Sequence, residues 1–114
     1  MAAAEISNLV HALAILRRES TADPFTFKFN VGFRPTITPN GTGQIILELT
    51  EPLGNPDDDV WNGMAFAQVR NLAAGWANTS IDSAQVAIQS FSAAGAAADV
   101  LTLYVYVLRM PTTD

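Results

Sequence analysis

The sequence predicts an α+β domain in the order αββαββ, with two helices packed on one face of a four-stranded, mainly antiparallel sheet. Three observations lead there. The run Asp99–Leu108 is rich in β-branched and aromatic residues with no Gly or Pro inside, the pattern of a strand. Apolar residues at spacings of three and four in residues 2–19 and 56–76 match helical stripes. The order helix, strand, strand then occurs twice, without a residue-level repeat between the halves. Two helices stacked on one sheet face is the economical way to bury such stripes.

The first helix is expected from Ala2 to about Glu19, with Ile6, Leu9, Val10, Leu13 and Leu16 on its buried stripe. Ser7, His11 and Arg18 fall on the opposite side, and Pro24 ends helical geometry because it lacks an N–H and restricts Asp23. Phe25–Arg34 follows as a half-buried strand. Its odd positions are Phe25, Phe27, Phe29, Val31 and Phe33, and its even positions are Thr26, Lys28, Asn30, Gly32 and Arg34.

Pro35–Gly43, with two prolines, two glycines and an Asn-Gly step, reads as a turn or an extended arm rather than a two-residue hairpin. Gln44–Thr50 alternates as a second strand, with Ile45, Leu47 and Leu49 on one side and Gln44, Glu48 and Thr50 on the other. Asn55 with Pro56 and Asp57–Asp59 has the chemistry of a helix start: a capping side chain, proline at the first helical position, and acids at the positive end of the dipole. That helix is expected to reach Trp76, burying Trp61, Ala65, Val69, Leu72 and Trp76, with Gly75–Ser80 as its exit. A strand over 84–91, a flexible loop over Ser92–Ala98 and the Asp99–Leu108 strand complete the chain.

At 114 residues, 49% hydrophobic and 15% charged, the chain is expected to form a single domain, 1–114, with one core. Eleven acids against six bases give a net charge of −5, which argues against a phosphate backbone or an anionic bilayer as partner. The absence of cysteine excludes disulfides, zinc-thiolate sites and thiol nucleophiles. Neither a signal peptide nor a transmembrane span is expected, because Glu5, His11, Arg17 and Arg18 interrupt the Ala-rich start.

No constellation points to an enzyme. His11 is the only histidine and has no evident catalytic partner, so an exposed helix face accounts for it. Asn55, Asp57 and Asp59 have the alternate spacing of cation ligands but lack the glycine and distal glutamate of a calcium loop, and helix capping accounts for them. Gly41–Gly43 precedes a strand and lacks the Lys-Ser or Lys-Thr of a phosphate loop. Arg17 and Arg18 complement the negative end of the expected helix, and Trp61 and Trp76 belong to a core stripe. No catalytic residue, cofactor, metal or small-molecule substrate is therefore expected.

The sheet's outer face is the place where partners are expected. Tyr104, Tyr106, Thr102, Gln85, Gln89, Ile46, Lys28 and Arg34 project from it, a mixture of tyrosine, arginine and aliphatic side chains among uncharged polar ones that matches a protein interface. A solvated sheet face is the alternative, since antiparallel sheets often leave one face wet.

In its layout the chain resembles small structural proteins of tailed bacteriophages. The resemblance rests on a helix to Glu19, paired strands, an acid-started helix over Pro56–Trp76, and a final hairpin closing on Leu101–Val107 before a polar tail. Tail-terminator and tail-completion proteins are similar in that order, and a Pro35–Gly43 arm would equally suit a head-decoration (cement) protein. The resemblance implies a subunit made in a bacterial cytoplasm and built into a virion, whose partners are copies of itself and other virion proteins. The rival expectation is an acidic module, with Asp57–Asp59 at its centre, that caps a basic surface of another protein.

Overall fold

The computed structural model describes residues 10–53, 63–70, 75–82 and 84–109. These residues contain eight strands and no helix: β1 (Val10–Arg17), β2 (Thr26–Val31), β3 (Phe33–Pro39), β4 (Gln44–Leu49), β5 (Gly63–Val69), β6 (Trp76–Ile81), β7 (Gln85–Phe91) and β8 (Thr102–Arg109). They form two four-stranded sheets, β2-β1-β8-β5 (sheet A) and β3-β4-β7-β6 (sheet B), in which every pair is antiparallel. The expected α+β fold, with one sheet covered by helices, is thus replaced by an all-β sandwich.

The first expected helix is strand β1 in its described part. Ala12, Ala14 and Leu16 point inward and are essentially inaccessible, while Leu13 and Ile15 point outward. A run that is apolar at both odd and even positions contains spacings of three and four by accident, so its period is ambiguous. Tertiary pairing decides the matter. β1 lies between β2 and β8, and both of its edges are hydrogen-bonded.

A similar ambiguity produced the second expected helix. Ala65 and Val69, four apart, share a face in a strand as well as in a helix, and both point inward from β5. Trp76 is not core: it opens β6 and is exposed, and the expected helix exit around Gly75–Ser80 is largely that strand. The proposed helix start at Asn55–Asp59, and Trp61 and Leu72, lie outside the described residues.

Phe25–Arg34 is not one strand. Gly32 takes φ of +91°, and the Asn30 side chain closes the corner by donating from Nδ2 to the Phe33 carbonyl (3.0 Å) and accepting from the Phe33 N–H (3.1 Å). The chain crosses here from sheet A to sheet B. Alternation within β2 is also broken: Ile15 pairs with Phe29 but Leu16 with Phe27, leaving Lys28 as the extra residue of a bulge. Phe27 therefore packs against the core, whereas Phe29 and Val31 turn to the opposite face from the one their odd numbering predicts.

Strands β4 and β7 fall within stretches predicted as strands, and so does β8 except for its last residue, Arg109. Pro35–Gly43 is not an arm, because β3 continues through Pro39 and the reversal is confined to residues 40–43. Asn40 and Gln44 close it, with Asn40 N–H donating to Gln44 O (2.9 Å) and Gln44 N–H to Gly41 O (3.1 Å). Pro35 and Pro39 are tolerated because β3 is an edge strand.

One core lies between the sheets. Ala12, Ala14, Leu16, Leu103, Val105 and Val107 of sheet A face Ile45, Leu47, Leu49, Val86 and Ile88 of sheet B, the arrangement of a β-sandwich. On one side the free edges of the two sheets meet, and the Thr79 hydroxyl donates to the Ala65 carbonyl across them at 2.7 Å.

The crossing at Gly32 yields a paired prediction. A Cβ there would lie 2.6 Å from His11 O and 2.9 Å from the Ala12 Cβ, whereas Gly41, also at positive φ, has nothing within 4 Å. Gly32→Ala is expected to destabilise by about 3 kcal/mol or more and Gly41→Ala by only about 1 kcal/mol, as read from urea denaturation. Equal losses in the two variants would contradict this account of the corner.

Candidate interaction face

The two sheets have outer faces of opposite character. In antiparallel pairing directly opposed residues point the same way, so the register gives the rows of each face. On sheet A the first row is Val10, Leu108 and Met64, the second Val31, Leu13, Tyr106 and Phe66, and the third Phe29, Ile15, Tyr104 and Gln68. No Lys, Arg, Asp or Glu stands in these three rows. Seven large apolar side chains are exposed among the described residues, and all but Trp76 lie on this face. The most open are Val31 (54%), Phe66 (48%), and Val10 and Phe29 (46% each).

The face is grooved rather than flat. A depression of about 310 Å³ runs between Phe29 on one side and Tyr104 and Tyr106 on the other, floored by Leu13 and Ile15. Charge appears at the rim. Arg17 and Thr102 pair in the next row, and the Arg70 guanidinium lies 5.1 Å from the centre of the Tyr104 ring. An apolar, aromatic centre with arginine at its edge is the composition of a protein interface core and rim.

Sheet B presents Gln44, Gln89 and Asn78 in one row, Ile46, Ala87 and Ser80 in the next, and Glu48 and Gln85 in a third. Its one aromatic feature is Trp76 stacked on Phe91, with ring centres 4.3 Å apart. This is a face made for water.

The residues expected on a single outer face are consequently divided. Tyr104, Tyr106 and Thr102 lie on sheet A, while Gln85, Gln89 and Ile46 lie on the outer side of sheet B, across the core from them. Lys28 sits at the β2 bulge on the edge of sheet A, and Arg34 is exposed on the edge strand of sheet B. Sequence reasoning missed Val10, Leu13 and Ile15, placed in a helix, Phe29 and Val31, placed inside, and Met64 and Phe66. A signal was present: Ala-Leu-Ala-Ile over 12–15 and Met-Ala-Phe-Ala over 64–67 alternate small with large apolar residues. In a strand that pattern places the large side chains together on one face and the alanines on the other.

Other candidates play structural parts. His11 is half-buried at a β1 irregularity, not on a helix, and its Nε2 lies 2.7 Å from the Glu51 carbonyl oxygen. Arg18 does not neutralise a helix end; it turns inward beyond β1, donates from Nε to the Val100 carbonyl (2.8 Å) and stacks over Phe25 at 4.2 Å. Among the described residues no group of three His, Asp or Glu could hold a metal ion, and Asp57–Asp59 lie outside them.

The bulge is testable because deleting the extra residue restores regular alternation with Phe27 inside and Phe29 and Val31 outside. A variant lacking Lys28 is expected to unfold cooperatively in urea within about 2 kcal/mol of the parent, well short of the loss that large core disruptions cause. Collapse of the cooperative transition would show that Lys28 is an integral ladder residue. No family model, no curated protein and no solved structure matches the chain.

Proposed function

We propose that the protein is a non-enzymatic assembly subunit that associates with further copies of itself through the outer face of sheet A. The observation that supports this reading is the uncharged apolar surface running across all four strands of that sheet. Exposed apolar patches of this kind mark association sites, and monomers rarely keep large ones. A second copy is the fitting occupant. Each chain carries a net charge of −5, yet the three apolar rows contain no acid, so two copies can meet there without opposing like charges.

Size bears on the kind of assembly. Four strands about 4.8 Å apart and a few rows about 7 Å apart give a footprint on the order of 400 Å². Stable pairwise interfaces need about 800 Å² per partner, so flanking loops or several neighbours have to contribute. Repeated contacts in a ring or shell meet that need.

A virion is the setting included in this proposal, as a tail ring or a capsid decoration, with other virion proteins as further partners. The described residues hold none of the helical layout behind the phage resemblance, and the uncharged apolar face is what supports an assembly setting. The rival reading, an acidic module acting through Asp57–Asp59, depends on residues outside the described ones and gains no support from the apolar face.

The test is sedimentation velocity over a concentration series. The parent chain of 12.2 kDa is expected to run as an oligomer. Phe66→Asp and Tyr106→Asp are each expected to weaken self-association at least about 30-fold, the equivalent of a 2 kcal/mol hot spot, while Gln89→Asp on sheet B leaves it unchanged. A parent that stays monomeric at high concentration, or equal sensitivity on the two faces, would refute the assignment.

A further inference from the structure

The hairpin loop of residues 40–43 carries the step Asn40-Gly41, and its surroundings set it apart from the other described asparagines. Asparagine is a thermally labile residue. Its carboxamide is lost when the backbone nitrogen of the next residue can reach it, which needs a neighbour without a side chain, an N–H that the fold does not hold, and room for a ring. Asn40 and Gly41 meet all three conditions. Both are exposed, and the site where a Gly41 Cβ would stand has nothing within 4 Å. The backbone bonds of the turn are donated by the N–H groups of Asn40 (to Gln44 O, 2.9 Å) and Gln44 (to Gly41 O, 3.1 Å), and the Gly41 N–H is left out of them.

The Asn30 carboxamide, in contrast, is held at both ends by Phe33 and is followed by β-branched Val31, while Asn78 is followed by β-branched Thr79 within β6. A second Asn-Gly step, Asn62-Gly63, begins outside the described residues. Its glycine is closed in, because a Cβ there would lie 2.6 Å from Leu53 Cδ1 and 2.8 Å from Leu108 O.

What the loop holds gives the reaction a consequence. The Gly43 carbonyl accepts from the Ser90 N–H (2.9 Å), the Gly43 N–H donates to Asp99 Oδ1 (2.8 Å), and Asn40 Nδ2 donates to Gln44 Oε1 (3.2 Å). The loop thus clasps β7 to the segment leading into β8. We propose that Asn40 is a self-modification site whose reaction loosens this clasp. The Gly41 nitrogen attacks Asn40 Cγ: the N–Cγ bond forms, the Cγ–Nδ2 bond breaks, the Gly41 N–H proton passes to solvent, and Nδ2 takes up a proton and departs as ammonia. Nothing is oxidised or reduced. Water then opens the cyclic imide, at Cγ to give aspartate or at the Asn40 main-chain carbonyl to give isoaspartate. Either product loses the Nδ2 donor and gains a carboxylate, and isoaspartate also lengthens the reversal by one backbone carbon. The inference is independent of the association face on sheet A.

Peptide mapping by mass spectrometry, after incubation of the full chain in heavy-oxygen water at mildly alkaline pH, tests it. Asn40 is expected to convert before Asn30 and Asn78 and to take up one heavy oxygen from the ring opening. Gly41→Ala is expected to slow the conversion at least about five-fold, the rate equivalent of 1 kcal/mol of lost backbone freedom, and Asn40→Gln to block it. In the converted chains the Ser90 amide is expected to lose hydrogen-exchange protection by about five-fold, the factor for one net hydrogen bond, while Asn40→Gln keeps its protection through the same incubation. Conversion confined to Asn62, a rate unchanged by Gly41→Ala, or equal Ser90 protection in converted and unconverted chains would overturn the proposal.

Discussion

The sandwich depends on the pairing of β1 with β8. These strands, separated by most of the chain, run antiparallel from Val10 against Leu108 to Arg17 against Thr102, and they form the centre of sheet A. Their inward residues, Ala12, Ala14 and Leu16 against Leu103, Val105 and Val107, supply sheet A's half of the core together with β5. The alanines matter here as much as the larger side chains, because they let sheet B approach while leaving the bulky residues of β1 on the other side. A contact of such sequence separation has a large loop-closure cost before it gains anything, so the hairpins β3-β4 and β6-β7 are the natural early structures and closure of β1 on β8 the later event.

How much of this was legible in the sequence differs from one segment to the next. β4, β7 and β8 were readable because their alternation or their β-branched and aromatic density leaves no competing period. β1 and β5 were not, because apolar residues on both faces erase the distinction between a period of 2 and one of 3.6, and alanine fits both readings. The single strand expected over Phe25–Arg34 failed for another reason. A bulge at Lys28 and a corner at Gly32 are set by what the chain meets in space, His11 and Ala12 in the case of the glycine, and no local pattern announces them. The candidate face inherited both errors: its tyrosines were found, while Val10, Leu13, Ile15, Phe29, Val31, Met64 and Phe66, which make it an apolar surface, were assigned to helices or to the interior.

The corrected face also changes what the last strand means. That strand carries large apolar side chains on both sides, and for the outer side the sheet supplies neighbours rather than a cover. Tyr104 and Tyr106 are flanked by Ile15 and Leu13 on one strand and by Gln68 and Phe66 on the other. The molecule therefore has a dry core, a wet outer side on sheet B and an apolar outer side on sheet A, and the asymmetry between the two outer sides is what gives an assembly its direction.

The meeting of the sheet edges near Thr79 and Ala65 has a consequence for how copies can join. Strand addition needs a free ladder, and here one pair of edges is turned toward each other while the other pair is interrupted by the Lys28 bulge and by Pro35 and Pro39. Growth by backbone pairing, the route to fibres, is thereby discouraged, and side-chain burial is left as the means of association. Such burial is driven by water release and carries a negative heat capacity, so the proposed assembly loosens in the cold and is little affected by salt.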